Sequence, residues 1–316
     1  MKMLNFKVIR DIDLAKEIWN VLSPHEVIDD EWDFRYAFMK NLHFTPHFIV
    51  GLDGDEPVGL LPLQYNADFG LKPPYAPRVA GFFEFFGGDD SDDNTIFLKP
   101  GYEGSEDQFL SQIDRPAVLA PLSETYAQQK GATFYESKYL LDLQGFNNYF
   151  DYIEARWEGE SRKTIKKQMR RIEKNYQVET VHNHFSDVER MFDLNLKRFG
   201  NNSSFIYPYR QQIFRDLITL FDVQLISLTI NGVVEGVSYG IVYKDRYIGM
   251  NAGVNNDIRD VGKLLVLLQI DRAISLGCRF YDGGKGSGEW KEEFKFEKSP
   301  QYQLTVAPYT KYASLV

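Results

Sequence analysis

The chain has 316 residues, of which 43% are hydrophobic and 15% aromatic, and its formal net charge is −9. This length fits about two domains, and the apolar content supports a core that needs no disulfide bonds. The acidic balance argues against broad nucleic-acid binding, and the single cysteine, Cys278, excludes an internal disulfide. We predict no secretion signal and no membrane span, and therefore expect a cytoplasmic protein.

The two halves of the chain share one layout, in which helical segments precede a hairpin. Strand patterns at 47–52 and 58–63 flank the turn Asp53-Gly54, and strand patterns at 223–230 and 233–243 flank Asn231-Gly232. Helical patterns precede these hairpins at 12–22, 31–42, 160–176, 185–199 and 208–220. The repeated plan predicts an α/β fold of two units, each a mixed central sheet flanked by helices. We place the two domains at 1–143 and 144–316.

One short segment concentrates positive charge on this acidic protein. Its seven cations are Arg162, Lys163, Lys166, Lys167, Arg170, Arg171 and Lys174. Ile165, Met169 and Ile172 recur at helical spacing within it, which predicts an amphipathic helix with a basic outer face. That face is either solvated surface or a contact for an anionic substrate, RNA or an acidic surface.

Residues 247–294 predict a strand, a turn, a helix, a second strand and a glycine-rich loop. The strand ends at Asn255-Asn256-Asp257, and an apolar run after Arg259-Asp260-Val261-Gly262-Lys263 predicts a helix that stops at Gly277. The first unpaired N–H groups of that helix and the positive end of its dipole would face an anion at the turn. Arg259 and Lys263 add charge there, and Gly262 lets the backbone approach a ligand closely.

Three other patterns are interpreted as structural. Gly236 to Gly240 spells G-x-S-x-G, but Ser238 lies in a predicted strand and no histidine follows His184. The run 283–288 looks like a phosphate loop, but no Ser or Thr follows Lys285 at the required place and we expect no helix directly after the run. Cys278 is predicted to be a buried, unreactive thiol.

Three patterns occur together here that also occur together in one known family. They are Arg259-x-x-Gly262, residues 280–284 with Gly286 and 290–294, and Trp32 with Phe38 before the first hairpin. With them the chain resembles the GNAT-type acyltransferases, in the tandem-GNAT branch close to Fem-type peptidoglycan aminoacyl transferases and polysaccharide-biosynthesis acetyltransferases. The turn is similar to the family's coenzyme A pyrophosphate turn, departing from it at Leu264. The later residues are similar to the branch's terminal signature.

The resemblance implies direct attack of an amine or hydroxyl on a thioester. Such a reaction needs a positioned acyl donor, a group that stabilises the tetrahedral oxyanion and a route for the released proton. The resemblance implies acetyl-CoA or another acyl-CoA as co-substrate, without a metal. The residues that it implies for donor binding are Val254, Arg259, Val261, Gly262 and Lys263.

The resemblance also suggests catalytic and acceptor-binding residues. Lys291 would add positive charge at the oxyanion, Asp282 would accept a proton or hold the nucleophile, and Tyr281 lies beside it. Backbone N–H groups of splayed strands would meet the acyl carbonyl near 251–254. Candidate substrate-binding residues are Trp32, Arg35, Asp90, Asn251 and Trp290. The strand 247–254 contains no Glu, so the base is left unassigned.

These inferences favour an acyltransferase of tandem-GNAT architecture that acts on a small molecule, a sugar or a peptide precursor. One alternative is a Fem-like aminoacyl transferase that uses charged tRNA, with the basic segment as its RNA contact. We regard tRNA as the weaker partner because no long helical-hairpin insertion is visible. A second alternative is a non-catalytic binding protein that retains the GNAT fold. The acceptor, the acyl group and the oligomeric state are not determined by the sequence.

Overall fold

Strands and helices are distributed along the whole described chain. In the computed structural model, residues 2–40, 44–66, 81–126, 131–286 and 288–306 are described. The strands are β1 Asn5–Ile9, β2 Thr45–Asp53, β3 Glu56–Asn66, β4 Phe82–Phe85, β5 Phe97–Leu98, β6 Ala117–Leu122, β7 Ala132–Asp142, β8 Val178–His182, β9 Asp222–Ile230, β10 Val233–Tyr243, β11 Arg246–Val254, β12 Phe280–Lys285 and β13 Glu297–Val306. The helices are α1 Ile12–Leu22, α2 Trp32–Met39, α3 Glu106–Leu110, α4 Tyr149–Arg156, α5 Gly159–Asn175, α6 Val188–Phe199, α7 Pro208–Leu220, α8 Val261–Ser275 and α9 Glu289–Glu293.

These elements form two compact units. The first contains the residues up to Ser137 and those from Ser299 onward, and the second is Lys138–Lys298. The predicted fold class, two units that each have a mixed sheet flanked by helices, is confirmed. The division differs from the predicted domains, which assigned every residue after 143 to the second. The residues after Ser299 belong to the first unit because β13 pairs with β6, with Leu304 opposite Leu119.

The first unit has apolar side chains on both faces of its sheet. Its strand order is β1-β2-β3-β4-β6-β13, and β5 also pairs with β3. Because side chains alternate along a strand, Phe48 joins the α1 and α2 helices on one face. Its neighbour Ile49 points to the other face and packs in a cluster with Phe83 and Phe109. The core therefore lies on both sides of this sheet.

The second unit has the strand order β7-β12-β11-β10-β9-β8. On one face of its sheet, α4, α5 and α8 bury a cluster that includes Tyr152, Ile165 and Leu265. Aromatic side chains of α6 and α7 pack around Tyr239, with Phe214 at a centroid distance of 5.0 Å. The amphipathic α5 is confirmed, since Ile165, Met169 and Ile172 are buried.

The parallel pair β11–β12 is short, and this decides where a site can form. The two strands pair only where Arg246, Tyr247 and Ile248 lie opposite Phe280, Tyr281 and Asp282. Beyond these residues β12 continues along β7, whereas β11 continues along β10. The two strands therefore part, and a gap opens between them.

Helix α6 approaches β11 so closely that only glycine fits at one position. A Cβ atom on Gly253 would lie 2.3 Å from the backbone oxygen of Met191. Backbone cannot move away cheaply, so the glycine permits the contact that brings the last turns of α6 alongside the gap.

Two further sequence interpretations are decided by the structure. The expectation that no helix follows the run 283–288 was wrong, because α9 begins at Glu289, although it has only five residues. The thiol of Cys278 is buried, and this burial raises its pKa to about 11, as expected for an unreactive cysteine.

In the described part of the chain, no helix combines the length and the apolarity that a membrane crossing requires.

Candidate active site

A cleft of about 820 Å³ lies in the second unit, where β11 and β12 part. Its walls come from the end of α6, from β11, from the loop 255–260, from α8, from β12 and from α9. The volume falls in the range of about 300–1,000 Å³ that is typical of small-molecule sites. The cleft extends from the first turn of α8 to the buried ring of Tyr281.

The β11 edge supplies backbone groups to this cleft. Asn255 donates its N–H to Glu235 O on the β10 side at 2.8 Å, so strand alternation directs the N–H groups of Ala252 and Val254 to the opposite side. The Ala252 N–H donates a hydrogen bond to Asn251 Oδ1 at 2.8 Å. The Val254 N–H is therefore a donor directed at the cleft, as expected for a residue of the splayed edge.

Asn195 is a site residue that the sequence interpretation missed. Its side chain is almost fully buried, and its Nδ2 donates to Ala252 O at 2.9 Å and to Asn251 Oδ1 at 3.1 Å. Ser203 Oγ in turn donates to Asn195 Oδ1 at 2.7 Å. A polar residue on the buried side of α6, in register with Val188 and Met191, was the available signal. This network fixes the predicted Asn251 side chain against the strand edge.

The first turn of α8 is open to an anion. Asp260, the residue before the helix, has a left-handed backbone with φ 70°, and such a residue next to a right-handed one forms a concave set of N–H groups. No acidic residue occupies the first turn of α8. A Cβ on Gly262 would meet only Val254 Cγ2, at 4.0 Å, so ligand atoms can reach the backbone there. These features fit a diphosphate.

The charged side chains around this turn are arranged in pairs. Arg259 is the accessible cation, with 78% of its side chain exposed. Lys263 forms an ion pair with Glu293 of α9 across the cleft. The carboxylate of Asp260 is only 5% exposed and pairs with Arg171 of α5. The predicted residue Val261 does not line the cleft, and its side chain is buried in the core.

Tyr281 lies at the floor of the cleft and keeps its proton. Its hydroxyl donates to Gln269 Oε1 at 3.0 Å, and burial raises its pKa well above the ordinary value. The group is therefore a hydrogen-bond donor at neutral pH and not a base. A Cβ on Gly249 would lie 2.8 Å from the Tyr281 ring, so this ring occupies the space that a side chain at 249 would need.

Lys291 is buried in the cleft wall, where it organises the glycine-rich loop. Its ammonium donates to Lys285 O at 2.8 Å and to Gly284 O at 3.1 Å, and it lies 4.9 Å from the Tyr139 ring centroid. The neighbouring Trp290 is 39% exposed and also lines the cleft. Lys291 and Trp290 thus lie at the predicted site, and the lysine is held by backbone carbonyls.

Asp282 lies outside the cleft. Its carboxylate pairs with the buried Lys138 at 2.9 Å and accepts the N–H of Gly284 at 2.9 Å. Strand alternation sends it to the opposite face of β12 from Tyr281. The strand β12 continues past it to Lys285. The surroundings of Asp282 therefore suit a structural ion pair better than a proton acceptor.

The substrate-binding residues predicted in the first half belong to the first unit, and none of them lines this cleft. Trp32 is buried and stacks on Phe86 at 5.1 Å. Arg35 is fully buried, donates to Phe86 O and Asp93 O at 3.0 Å each, and has a pKa lowered by burial. Asp90 is partly exposed at the end of the short turn Gly88–Asp90. Trp32 and Arg35 thus stabilise the first unit.

No unpaired carboxylate lines the cleft among the described residues. The two acidic side chains there, Asp260 and Glu293, are ion-paired with Arg171 and Lys263. No histidine lines the cleft either. The described residues also contain no group of three His, Cys, Asp or Glu side chains that could hold a metal ion.

Comparisons with known proteins match both the fold and the second unit. Residues 159–292 match the family model described as an acetyltransferase (GNAT) domain. No curated protein matches the sequence. One similar solved structure is FemX, with a TM-score of 0.60 and 9% sequence identity; the match covers 94% of this chain and 96% of that one. Another is L-PGS from Bacillus licheniformis, with a TM-score of 0.55 and 10% identity over 94% of this chain and 92% of that one. A tandem GNAT protein from the clavulanic acid biosynthesis pathway has TM-score 0.54, 10% identity and coverage of 97% and 99%.

Fold and family model together define an acyltransferase domain of the GNAT type in the second unit. The whole chain has the fold of tandem GNAT proteins. The match to the family is thus confined to residues 159–292 of the second unit, and the tandem arrangement of two units is a likeness of fold.

Replacement of Asp282 tests whether this residue has a structural role through its pair with Lys138. Asp282→Asn removes the buried carboxylate that pairs with Lys138 at 2.9 Å and with Arg246 at 3.8 Å, so we expect a loss of about 3–5 kcal/mol in the free energy of unfolding. Urea unfolding measures this. Asp257→Asn is the control, because Asp257 forms an exposed pair with Lys197 and its loss should cost at most about 1 kcal/mol. Unchanged stability of Asp282→Asn would contradict the structural role.

Proposed function

We propose that the second unit transfers an acyl group from a coenzyme A thioester to an amine or hydroxyl. The acceptor classes are a small molecule, a sugar and a cell-envelope precursor. The observation that carries this proposal is the single cleft that joins the open first turn of α8 to the unpaired edge of β11. One end suits a diphosphate and the other suits the acyl-bearing arm of the donor.

The residues of the cleft fit the donor in parts. The N–H groups around Gly262, with the exposed Arg259, would hold the diphosphate. Lys263 would contribute after it exchanges Glu293 for a phosphate oxygen. The Val254 N–H would bond an amide carbonyl of the donor arm, as an added strand does at a sheet edge.

The reaction forms one bond and breaks another at the thioester carbonyl. The acceptor nitrogen or oxygen bonds to the carbonyl carbon and the carbon–sulfur bond breaks. The acceptor loses its proton to solvent, and the thiolate takes up a proton from solvent and leaves as the thiol. Lys291 places a fixed positive charge in the wall of the cleft, where it would stabilise the oxyanion. The protonated Tyr281 hydroxyl would donate to the departing sulfur after it releases Gln269 Oε1. We assign no side chain as the base.

Coenzyme A binding tests the donor assignment through Gly262. Ligand at about one hundred times its Kd should stabilise the protein by about 2.7 kcal/mol, measured as a rise in Tm. Gly262→Asp should abolish this rise, because bulk and negative charge would enter the diphosphate site. Gly262→Ala should keep the unliganded Tm, since a Cβ has room there, and weaken the coenzyme A response. An unchanged response in Gly262→Asp would place the donor elsewhere.

Lys291 is expected to act on turnover more than on donor binding. To identify an acceptor, amines, amino sugars and UDP-sugars are screened with acetyl-CoA, and the release of free thiol measures the reaction. Lys291→Ala should then lower kcat by roughly 100-fold, the scale of one oxyanion-stabilising group, with little change in donor Kd.

The control for Lys291 is Lys298→Ala, which removes an exposed lysine paired with Glu292. Equal losses of kcat and donor affinity in Lys291→Ala would make the lysine a phosphate contact. Full activity in that variant would remove both roles.

The second candidate function is aminoacyl transfer from charged tRNA, and one observation favours it. Lys167, Arg170 and Lys174 lie on one exposed face of α5 and have no ion pair among the described residues. Against it, Arg162 and Lys166 pair with Glu154, Lys163 pairs with Glu160, and Arg171 pairs with Asp260. Most of the charge on α5 is thus neutralised within the protein.

We therefore expect no tRNA binding above the non-specific level at physiological salt. Filter-binding titrations across a salt series measure this, because each phosphate contact adds to the salt dependence of the affinity. The double variant Lys167→Glu with Arg170→Glu should bind coenzyme A like the unaltered protein. Tight, salt-sensitive tRNA binding that this variant loses would favour the aminoacyl transferase instead.

A further inference from the structure

Asp260 poses a physical problem for the proposed donor site. Its carboxylate lies beside the N–H groups of α8 that would receive a diphosphate, and it lines the same cleft. A carboxylate at that place repels a phosphate and competes with it for the positive end of the helix. Almost no water screens it, because only 5% of the side chain is exposed.

A cation from another helix neutralises the Asp260 carboxylate. Arg171 of α5 forms an ion pair with Asp260 Oδ2, whereas Arg259 Nε lies 3.9 Å from the other carboxylate oxygen. Arg171 does not line the cleft, so it would act on a ligand only through Asp260. The other charges of α5 face solvent or Glu154 and Glu160.

The pair also fixes an uncommon backbone conformation. Asp260 has φ 70°, a region that residues other than glycine seldom adopt, although Asp and Asn enter it more readily than most. Because its side chain is anchored on α5, the residue is held where its left-handed backbone turns the following N–H groups toward the cleft.

We propose that Arg171 is a positioning residue of the donor site, which neutralises Asp260 and anchors the turn so that the first turn of α8 can receive the diphosphate of coenzyme A. The inference rests on the proposed function and adds a residue from the basic helix to it. One residue of the basic helix α5 would thus support donor binding within the protein itself.

The test compares donors with and without phosphate by isothermal titration calorimetry. Arg171→Gln should weaken coenzyme A binding by about tenfold or more, since it leaves the Asp260 charge uncompensated. Binding of S-acetylpantetheine, which lacks the phosphates, should change by less than about twofold. A merely structural role of Arg171 would weaken both ligands alike. Arg170→Gln is the matched control, because it removes the neighbouring, exposed arginine of the same helix and should leave both affinities unchanged.

Two further variants keep the test decisive if Arg171→Gln does not fold. Asp260→Gly retains access to the left-handed backbone and removes the charge, so it should bind coenzyme A at least as tightly as the unaltered protein. The double variant Arg171→Gln with Asp260→Gly should recover most of the affinity that the single Arg171 change loses.

The outcomes distinguish this inference from the proposed function. An unaltered protein that does not bind coenzyme A would overturn both. Normal coenzyme A binding in Arg171→Gln, equal weakening of both ligands, or loss of coenzyme A binding in Asp260→Gly and in the double variant would overturn the role of Arg171 alone. Selective loss of coenzyme A, restored in the double variant, supports it.

Discussion

The parting of β11 and β12 after Ile248 is the constraint on which the site depends. A continuous ladder would have satisfied the edge of β11 and left no space between the strands. Because pairing stops, the Val254 N–H is directed at the gap and Tyr281 forms its floor. Unpaired backbone at a strand edge is costly to bury unless side chains or a ligand satisfy it. Asn195 and Asn251 do this at Ala252, and the proposed donor would do it at Val254.

Local sequence signals predicted the frame of the site well. The turn at Arg259, the helix that follows it and the strand before it depend on patterns within a few residues: turn formers, an apolar run and a terminal glycine at Gly277. The helix α5 with its buried stripe follows from spacing in the same way. The structure has each of these elements within one or two residues of its predicted bounds.

The partners of charged groups could not be predicted in this way. Asp282 was predicted to be catalytic from its place in the signature at residues 280–284, but its buried partner Lys138 lies far away in sequence. Arg171 looked like one cation among seven until its contact with Asp260 placed it apart from the others. Trp32 and Arg35 resembled site residues, yet both are buried in the first unit. Burial and ion pairing depend on tertiary packing, which spacing along the chain does not encode.

The glycine at 253 has a practical consequence for redesign of the cleft. Since a Cβ atom there would meet the backbone of α6 at Met191, the spacing between α6 and β11 cannot be changed by giving residue 253 a side chain. The last turn of α6 is different, because Arg198 and Phe199 line the cleft and are exposed. Changes to the lining of the cleft are therefore best made at Arg198 and Phe199, where a new side chain meets solvent and not a neighbouring main chain.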